Sequence, residues 1–573
     1  MDLQQRGGTF PDALLPQGQQ SRYGDAMLGY ALVQSGLRDR RRSYLDAGLR
    51  AITWATRRAA PRFHGDAPFE NLAVAGAYTS MRRSAPGYSR FRRVRKRWER
   101  FMRSRVRVYI HRAGEPLQPH ARGYWNKWLV ESIAMLEFVR SGLSSKRRGA
   151  ALAQQPDTYR RIVSVVNQIV PDIADQATVP NGRGQHGLVL SDAPENPLAY
   201  HALSLGLIAR AVRLLGPAAG PRARETLLRM VEASWSLMAP DGDLAYAGRS
   251  QEQAWALTFT AYGAEVAAGL TRDRQRAARA RGVADRAVAR LVALHPLLPS
   301  GLAITPAVGR GPSAARSGLD RYAHMVDYNG LTLLGLNWAI TESRGRRTAP
   351  GPIGSDSPGA LVVDKGKPAM ATVRTPDLWF AVKQSRSSLL LQYDFGLVAL
   401  KRLIAGGWRD VLPLRPIGTG SDSAGPIFLA YGVHAEPVGE TLEARPDGTV
   451  IIDGGFADDA GAIVRQARFT FTPVDGGVRL SFPAQRGDKY ELSSFHRSTP
   501  PVRPADDSLT IGASGEGMQI TAPAAPLEPG DTWNVELLPG FASGMDIGLT
   551  RARATFSLES HGTVSVTYGA FGG

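Results

Sequence analysis

The sequence predicts an α+β multidomain protein: an (α/α) toroid over residues 1–343, a linker at 344–360 and an antiparallel β-sandwich over 361–573. Three observations carry this. Between Ser21 and Ile340 about ten apolar stretches recur at three-and-four spacing, joined by short polar loops. Residues 344–360 (RGRRTAPGPIGSDSPGA) interrupt that pattern with Pro, Gly and Ser. After the break the apolar period becomes two, in short runs bounded by Gly, Pro or Asp-Gly. A chain of 573 residues also needs more than one core.

Taken in order, residues 1–20 form an irregular lead-in. Helices follow at Tyr23–Ser35, at Tyr44–Arg57 and after Asp66-Ala67-Pro68. Residues 90–107 (RFRRVRKRWERFMRSRVR) form a basic amphipathic helix. Phe91, Val94, Trp98, Phe101 and Met102 recur there at helical spacing, so the reading is a solvated cationic face backed by core contacts. Further helices are predicted at Tyr124–Ser141, Thr158–Ile173, Pro197–Leu215, Arg222–Met238, Gln251–Leu270, Ala277–Leu294 and Met325–Thr341. Each is too apolar on one side to stand alone, and paired antiparallel helices with little strand between them make a toroid. No strict sequence period supports a regular solenoid. In the second half, runs such as DLWFAVKQS, SLLLQYDF, TVIIDGG, AIVRQARFTFTPV and TVSVTYG are strands of a sandwich. SSFHRSTPP reads as a strand end or loop carrying His496 and Arg497, which with His434 are given surface roles.

The net charge is +19, and Arg supplies 62 of the 70 basic residues. Part of that excess is compositional; the remainder favours a polyanion, whether acidic polysaccharide, nucleic acid or an anionic surface. With no phosphate loop, zinc spacing or carboxylate-metal motif in the sequence, an acidic polysaccharide or oligosaccharide is the expected partner and nucleic acid is not. The absence of cysteine excludes disulfides, thiolate metal sites and a Cys nucleophile. No apolar run approaches the roughly 18–20 residues of a membrane span. The first twenty residues lack the order of a signal peptide and fit a mature start with an added Met. A secreted or periplasmic protein is the expectation, with a cytosolic one the alternative.

The chain is organised around Pro240–Trp255 (PDGDLAYAGRSQEQAW), a polar loop running into an apolar helix. Asp241-Gly242 signals a turn, and Ser250 with Gln253 has capping-box form, predicting a helix from Gln251. Tyr246 and Arg249 then lie just ahead of a helix N-terminus, whose unpaired N–H groups attract anions. The pattern recurs. Asn196 precedes Pro197, with Tyr200 and His201 in or just past the first turn; Tyr322, His324, Tyr328 and Asn329 crowd another helix start. His120, Tyr124, Trp125, Asn126 and Trp128 crowd a third. In a ring of antiparallel pairs these starts share one rim. Each residue also has a plain structural reading: Asn196 as a cap, His201 as a satisfied core histidine, Trp125 and Trp128 as core.

The chemistry suited to this set is β-elimination at a uronic acid. Asn or Arg neutralises the carboxylate, a base takes the C5 proton, and an acid protonates the leaving oxygen. The catalytic candidates are Tyr246, His201, Arg249 and Asn196. Substrate contacts are assigned to Trp125, Asn126, Trp128, Tyr200, Gln253, Tyr322, His324, Tyr328 and Asn329. Arg249 would supply the cation a phenolate needs, and no metal or other cofactor is required.

The layout resembles polysaccharide lyases of the helical-toroid plus β-sandwich type: hyaluronate and chondroitin AC lyases, toroid alginate lyases and heparinase II/III-like enzymes. Tyr124-Trp125-Asn126-Lys127-Trp128-Leu129-Val130-Glu131-Ser132-Ile133 is similar to the aromatic-rich N-W-W-x-W stretch of the hyaluronate and chondroitin enzymes, with Asn126 in a different register. The resemblance implies Asn196 as carboxylate neutraliser, His201 as helper or base, and Tyr246 as base and acid. The polysaccharide, and endo or exo cleavage, stay open. Two rivals remain. A toroid glycoside hydrolase would draw its acid pair from Asp241, Asp243 and Glu252, with Asp327 or Glu195 opposite. A non-catalytic polyanion binder would use the 90–107 face.

Overall fold

The computed structural model describes residues 3–15, 21–58, 67–112, 125–143, 160, 163–164, 166–168, 178–180, 186–189, 198–248, 250–299, 301–305, 324–346, 348–363, 370–384, 395–411, 426–496, 498–513, 517–525, 533–542 and 545–569. Ten α-helices of full length lie among them: α1 Gly24–Arg38, α2 Arg42–Arg58, α3 Ala67–Ser84, α4 Ser89–Arg112, α5 Trp125–Arg140, α6 Leu198–Leu215, α7 Pro221–Leu237, α8 Ala254–Leu270, α9 Arg274–Leu294 and α10 Met325–Ser343. Most of the predicted Thr158–Ile173 helix lies outside the described residues.

Six of these helices close a ring. Each of α1, α3, α5, α6, α8 and α10 packs on the next, and α10 returns to α1, while α2, α4, α7 and α9 lie outside. The ring helices run in one direction. At one end Tyr200 of α6 meets Trp255 of α8 edge-on at 5.6 Å, and Trp255 meets Tyr328 of α10 at 5.9 Å. There too Asp327 of α10 accepts from the N–H groups of Tyr23 and Gly24 at the start of α1, at 2.9 and 2.5 Å. At the other end Arg210 of α6 pairs with Glu137 of α5, donates to the Tyr30 hydroxyl of α1 at 3.3 Å and lies 4.7 Å over Trp338 of α10. Thr79 of α3 joins them, donating to the Glu137 carbonyl at 3.0 Å. The N-termini of the ring helices therefore share one rim. Small residues permit this closeness: a Cβ on Gly206 would sit 2.4 Å from the Phe259 ring. The span Leu198–Ala218 is long and apolar enough to cross a membrane, a length the sequence reading did not credit, but 83% of its most apolar 18-residue stretch is buried within the fold. Its apolarity is that of a ring helix.

The second half is antiparallel throughout its described strands. A five-stranded meander (Gly359–Val363, Met370–Arg374, Leu378–Lys383, Gly396–Ile404, Gly407–Asp410) comes first. An eight-stranded sheet follows, ordered Glu436–Ala444, Val450–Ala457, Ile463–Val474, Gly477–Ala484, Gly562–Gly569, Gly517–Thr521, Ser508–Ile511, Val502–Pro504. The third sheet contains Lys489–His496 and Met545–Leu558. The stretch read as a strand end or loop is a strand end: the strand Lys489–His496 stops at His496. His496 hydrogen-bonds Ser494 at 2.8 Å, and burial lowers its imidazole pKa to about 4. Arg497 lies outside the described residues.

The meander is buried on both faces. Met370, Trp379, Ala381, Val398 and Ala399 belong to the core of the toroid. Val373, Phe380, Val382, Leu397 and Leu400 belong to the sandwich core, with Phe456, Phe469, Phe482 and Tyr490. The toroid rim and the sandwich are consequently welded through one sheet.

Candidate active site at the toroid rim

The loop between α7 and α8 is built from left-handed turns. Gly242 has φ +88°, and a Cβ there would lie 2.3 Å from the Arg286 carbonyl, so only glycine fits. Asp243 N–H donates to Asp241 Oδ1 at 3.2 Å and Ala245 N–H to Asp243 Oδ1 at 3.0 Å, the side-chain turns expected of aspartate. Ser250 and Glu252 both have φ +59°. Such values cannot continue a helix, so α8 starts at Ala254, with Gln253 as N-cap, and not at Gln251 behind a Ser250 cap. Two non-glycine residues in this region within three positions are costly, and such strain gathers at functional sites. The Ala254 N–H donates to the Ile304 carbonyl at 2.8 Å, so that helix donor is already satisfied.

Several predicted site residues meet here. Tyr200, Trp255 and Tyr328 form a row of edge-packed rings across the first turns of α6, α8 and α10. Gln253 is buried at the head of α8. His324 stands at the N-cap position of α10 without a capping hydrogen bond from its side chain, and its Nδ1 lies 2.8 Å from Asp327 Oδ2. Asn126 is buried in the first turn of α5. Asn196, Arg249 and Tyr322 lie outside the described residues, as do His120, Tyr124 and Glu195 and the side chains of Trp125 and Trp128.

The geometry revises four roles. His201 is wholly buried in α6, with Nε2 3.1 Å from Ser234 Oγ, and burial lowers its pKa to about 4. It has the core position of its structural reading. Asn329 commits its amide to the backbone of Leu302 (2.9 and 3.0 Å) and to the Met325 carbonyl at 2.9 Å, and so fixes the hairpin at Leu297–Leu302 rather than facing open space. Asp327, offered as a hydrolase acid, spends its carboxylate on α1 and His324. Tyr246 is buried, donates its hydroxyl to the Leu237 carbonyl at 2.8 Å and packs edge-on against Trp379 of the meander at 5.3 Å. Burial, then the charge of Asp243, push its phenol well above the usual value. In this state it is a neutral proton donor.

A buried charge cluster joins the loop to both neighbours. Arg290 of α9 pairs with Asp241, with Asp243 at 3.1 Å and with Glu252 at 3.2 Å. Lys401 of the meander, 0% exposed, reaches Asp241 at 3.0 Å, Asp243 at 3.2 Å and Asp410 at 2.5 Å. Burial raises the Asp243 carboxyl, but Arg290 and then Lys401 overcome it and hold it down at about 2. Burial and Asp243 push Glu252 up to about 8. Sequence reasoning found the three loop acids but not Arg290, Lys401 or Asp410, which lie far away in the chain. Among the described residues no group of three or more His, Asp and Glu side chains is placed to hold a metal ion.

No protein-family model matches the chain, and no curated protein matches it in sequence. Solved structures match in fold. Heparinase III superposes with a TM-score of 0.55 at 10% identity, covering 100% of this chain and 81% of that one. The Streptomyces coelicolor A3 chondroitin AC lyase, solved in complex with chondroitin sulphate, gives 0.53 at 12% identity, covering 96% and 75%. The chain therefore has the helical-toroid plus β-sandwich fold of these polysaccharide lyases.

Proposed function

We propose that this protein is a polysaccharide lyase that cleaves a uronic-acid-containing acidic polysaccharide by β-elimination at the rim where α6, α8 and α10 begin. The observation that supports this most is the convergence of those first turns, with Tyr200, Gln253, Trp255 and Tyr328 beside the strained loop that holds Tyr246. The likeness in fold to heparinase III and a chondroitin AC lyase points the same way, and the latter's complex supports an acidic glycan as the ligand class.

In this reading Asn196 and Arg249 neutralise the uronate carboxylate, which acidifies the C5 proton. Tyr246 takes that proton and returns one to the leaving glycosidic oxygen, exchanging its bond to Leu237 for one to substrate; free-enzyme hydrogen bonds often rearrange on binding. As an acid it is already in the right state. As a base it needs Arg249 to offset burial and Asp243. Trp125, Trp128 and Tyr322 complete the sugar-binding surface.

A hydrolase reading is favoured by one observation, the opposite displacement of the Asp243 and Glu252 carboxyls, a pattern that assigns base and acid in glycosidases. Both groups are held by one guanidinium, which ties them to structure. A panel of uronate polysaccharides read by ultraviolet absorbance separates the two. Elimination yields an absorbing unsaturated uronate, and Tyr246→Phe abolishes it. New reducing ends without absorbance would refute the lyase.

A further inference from the structure

We infer that the outer face of α4 is a second binding surface for the acidic polysaccharide, a track outside the catalytic rim; this rests on the lyase reading for the identity of its ligand. Phe91, Trp98, Phe101 and Met102 of α4 are buried, which leaves the opposite face to solvent. On it Arg92, Arg93, Lys96, Arg97 and Arg100 are exposed. The only acid in α4 is Glu99, and it is consumed by Arg95 at 2.7 Å, Arg103 at 3.6 Å and the Tyr78 hydroxyl at 2.8 Å. The only acid in the adjacent α2 is Asp46, taken by Arg90 at 3.0 Å and the Tyr88 hydroxyl. Among the described residues no carboxylate pairs with any of the five.

Arg92, Lys96 and Arg100 stand at successive i,i+4 positions, as do Arg93 and Arg97. Like charges at that spacing destabilise a helix by roughly 0.2–0.5 kcal/mol per pair, so the helix carries an uncompensated cost. At about 1.5 Å rise per residue the five charges span roughly 12 Å, a linear array suited to a regularly charged polymer. In chain order α4 is followed by α5, one of the ring helices whose starts share the rim. Single-stranded nucleic acid would require aromatic rings interleaved with the cations, and Phe91, Trp98 and Phe101 all face inwards. A membrane surface would require a free apolar face, and the toroid core occupies it.

The test measures binding of the full chain to long chondroitin sulfate across a salt series, for wild type, for the pair Arg93→Gln/Arg97→Gln and for the variant with all five cations changed to Gln. Affinity at physiological salt falls about tenfold or more in the five-site variant, less in the pair, and the salt slope flattens in both. Melting temperatures stay level or rise, because only repulsion is removed. Turnover of a short oligosaccharide is unchanged, while KM for the polymer rises. Unaltered affinity and slope overturn the proposal, as does tighter binding of duplex DNA than of the glycan at equal salt. The affinity measurement needs no turnover. If no glycan yields unsaturated product, the lyase reading fails and the binding result still decides the track.

Discussion

Replacing Lys401 by Met tests whether the charge cluster holds the rim loop. The ammonium is fully buried and has three carboxylates within 3.2 Å, on Asp241, Asp243 and Asp410. Met fills the same space without charge and leaves Arg290 to compensate the loop acids. Removing one partner of a buried pair typically costs about 3–5 kcal/mol, because the remaining charge is stranded. An independent bound comes from Asp243, whose carboxyl falls from 3.8 to about 2 in the fold. That shift is worth about 2 kcal/mol, shared between Arg290 and Lys401. Since this pKa is depressed, the contribution is present above the unfolded value of 3.8 and is lost as pH falls towards 2. Urea denaturation at neutral pH is therefore expected to show Lys401→Met less stable by about 2–4 kcal/mol. Adding Asp243→Asn should restore part of the loss by removing a stranded charge. A loss below about 1 kcal/mol, or a double variant no more stable than the single, would refute the reasoning.

Other predictions follow from the same geometry. Glu252→Gln should stabilise the protein as pH rises from about 4.5 to 8 and beyond, because a carboxyl raised to about 8 contributes fully below 4.5 and loses that contribution across this window; melting temperature against pH reads it. His201→Gln should flatten the acid arm: a buried imidazole lowered from 6.5 to about 4 stabilises above 6.5 and loses that as pH falls towards 4, which acid titration of the circular dichroism signal follows. Gly242→Ala should cost more than about 1 kcal/mol, since it combines positive φ with a 2.3 Å clash, and would be measured by urea midpoint. Trp379→Ala should cost about 3–5 kcal/mol and loosen Tyr246, lowering turnover beyond what the stability loss explains.

The toroid was legible because its evidence is local and repeated: a 3.6-residue period with short loops constrains each helix within its own window. The start of α8 was not, because Ser250 and Gln253 have the letters of a capping box while Ser250 and Glu252 adopt backbone angles no propensity assigns them. In the second half, strands with one solvated face were read from alternation, as in Ile463–Val474. Gly396–Ile404 was missed because its first six residues are buried on both faces and give no period-two contrast. At the site, residue types were readable but partners were not. His201 looks the same in sequence whether it faces Ser234 or a substrate, and nothing near Asp241 announces Lys401, 160 positions away.

The register of the meander explains why a lysine is found there. Leu400 faces the sandwich core and Trp379 the toroid core, and Lys401 pairs with Trp379 across the strands, so it shares the toroid face. Ahead of it a bulge between Leu397 and Ala399 lets Val398 and Ala399 both serve the toroid before alternation resumes. A slip of one residue would turn every side chain over, placing the ammonium among Phe380, Val382 and Leu480 with no acid near and Leu400 against Asp241 and Asp243. Stranding one ion in such a core costs several kcal/mol, whereas apolar contacts alone accept either register with smaller loss. The acids of the rim loop thus specify how the first sheet is laid down, and the sheet in return fixes the loop that carries Tyr246. Stability of the join and geometry of the candidate site are one set of contacts.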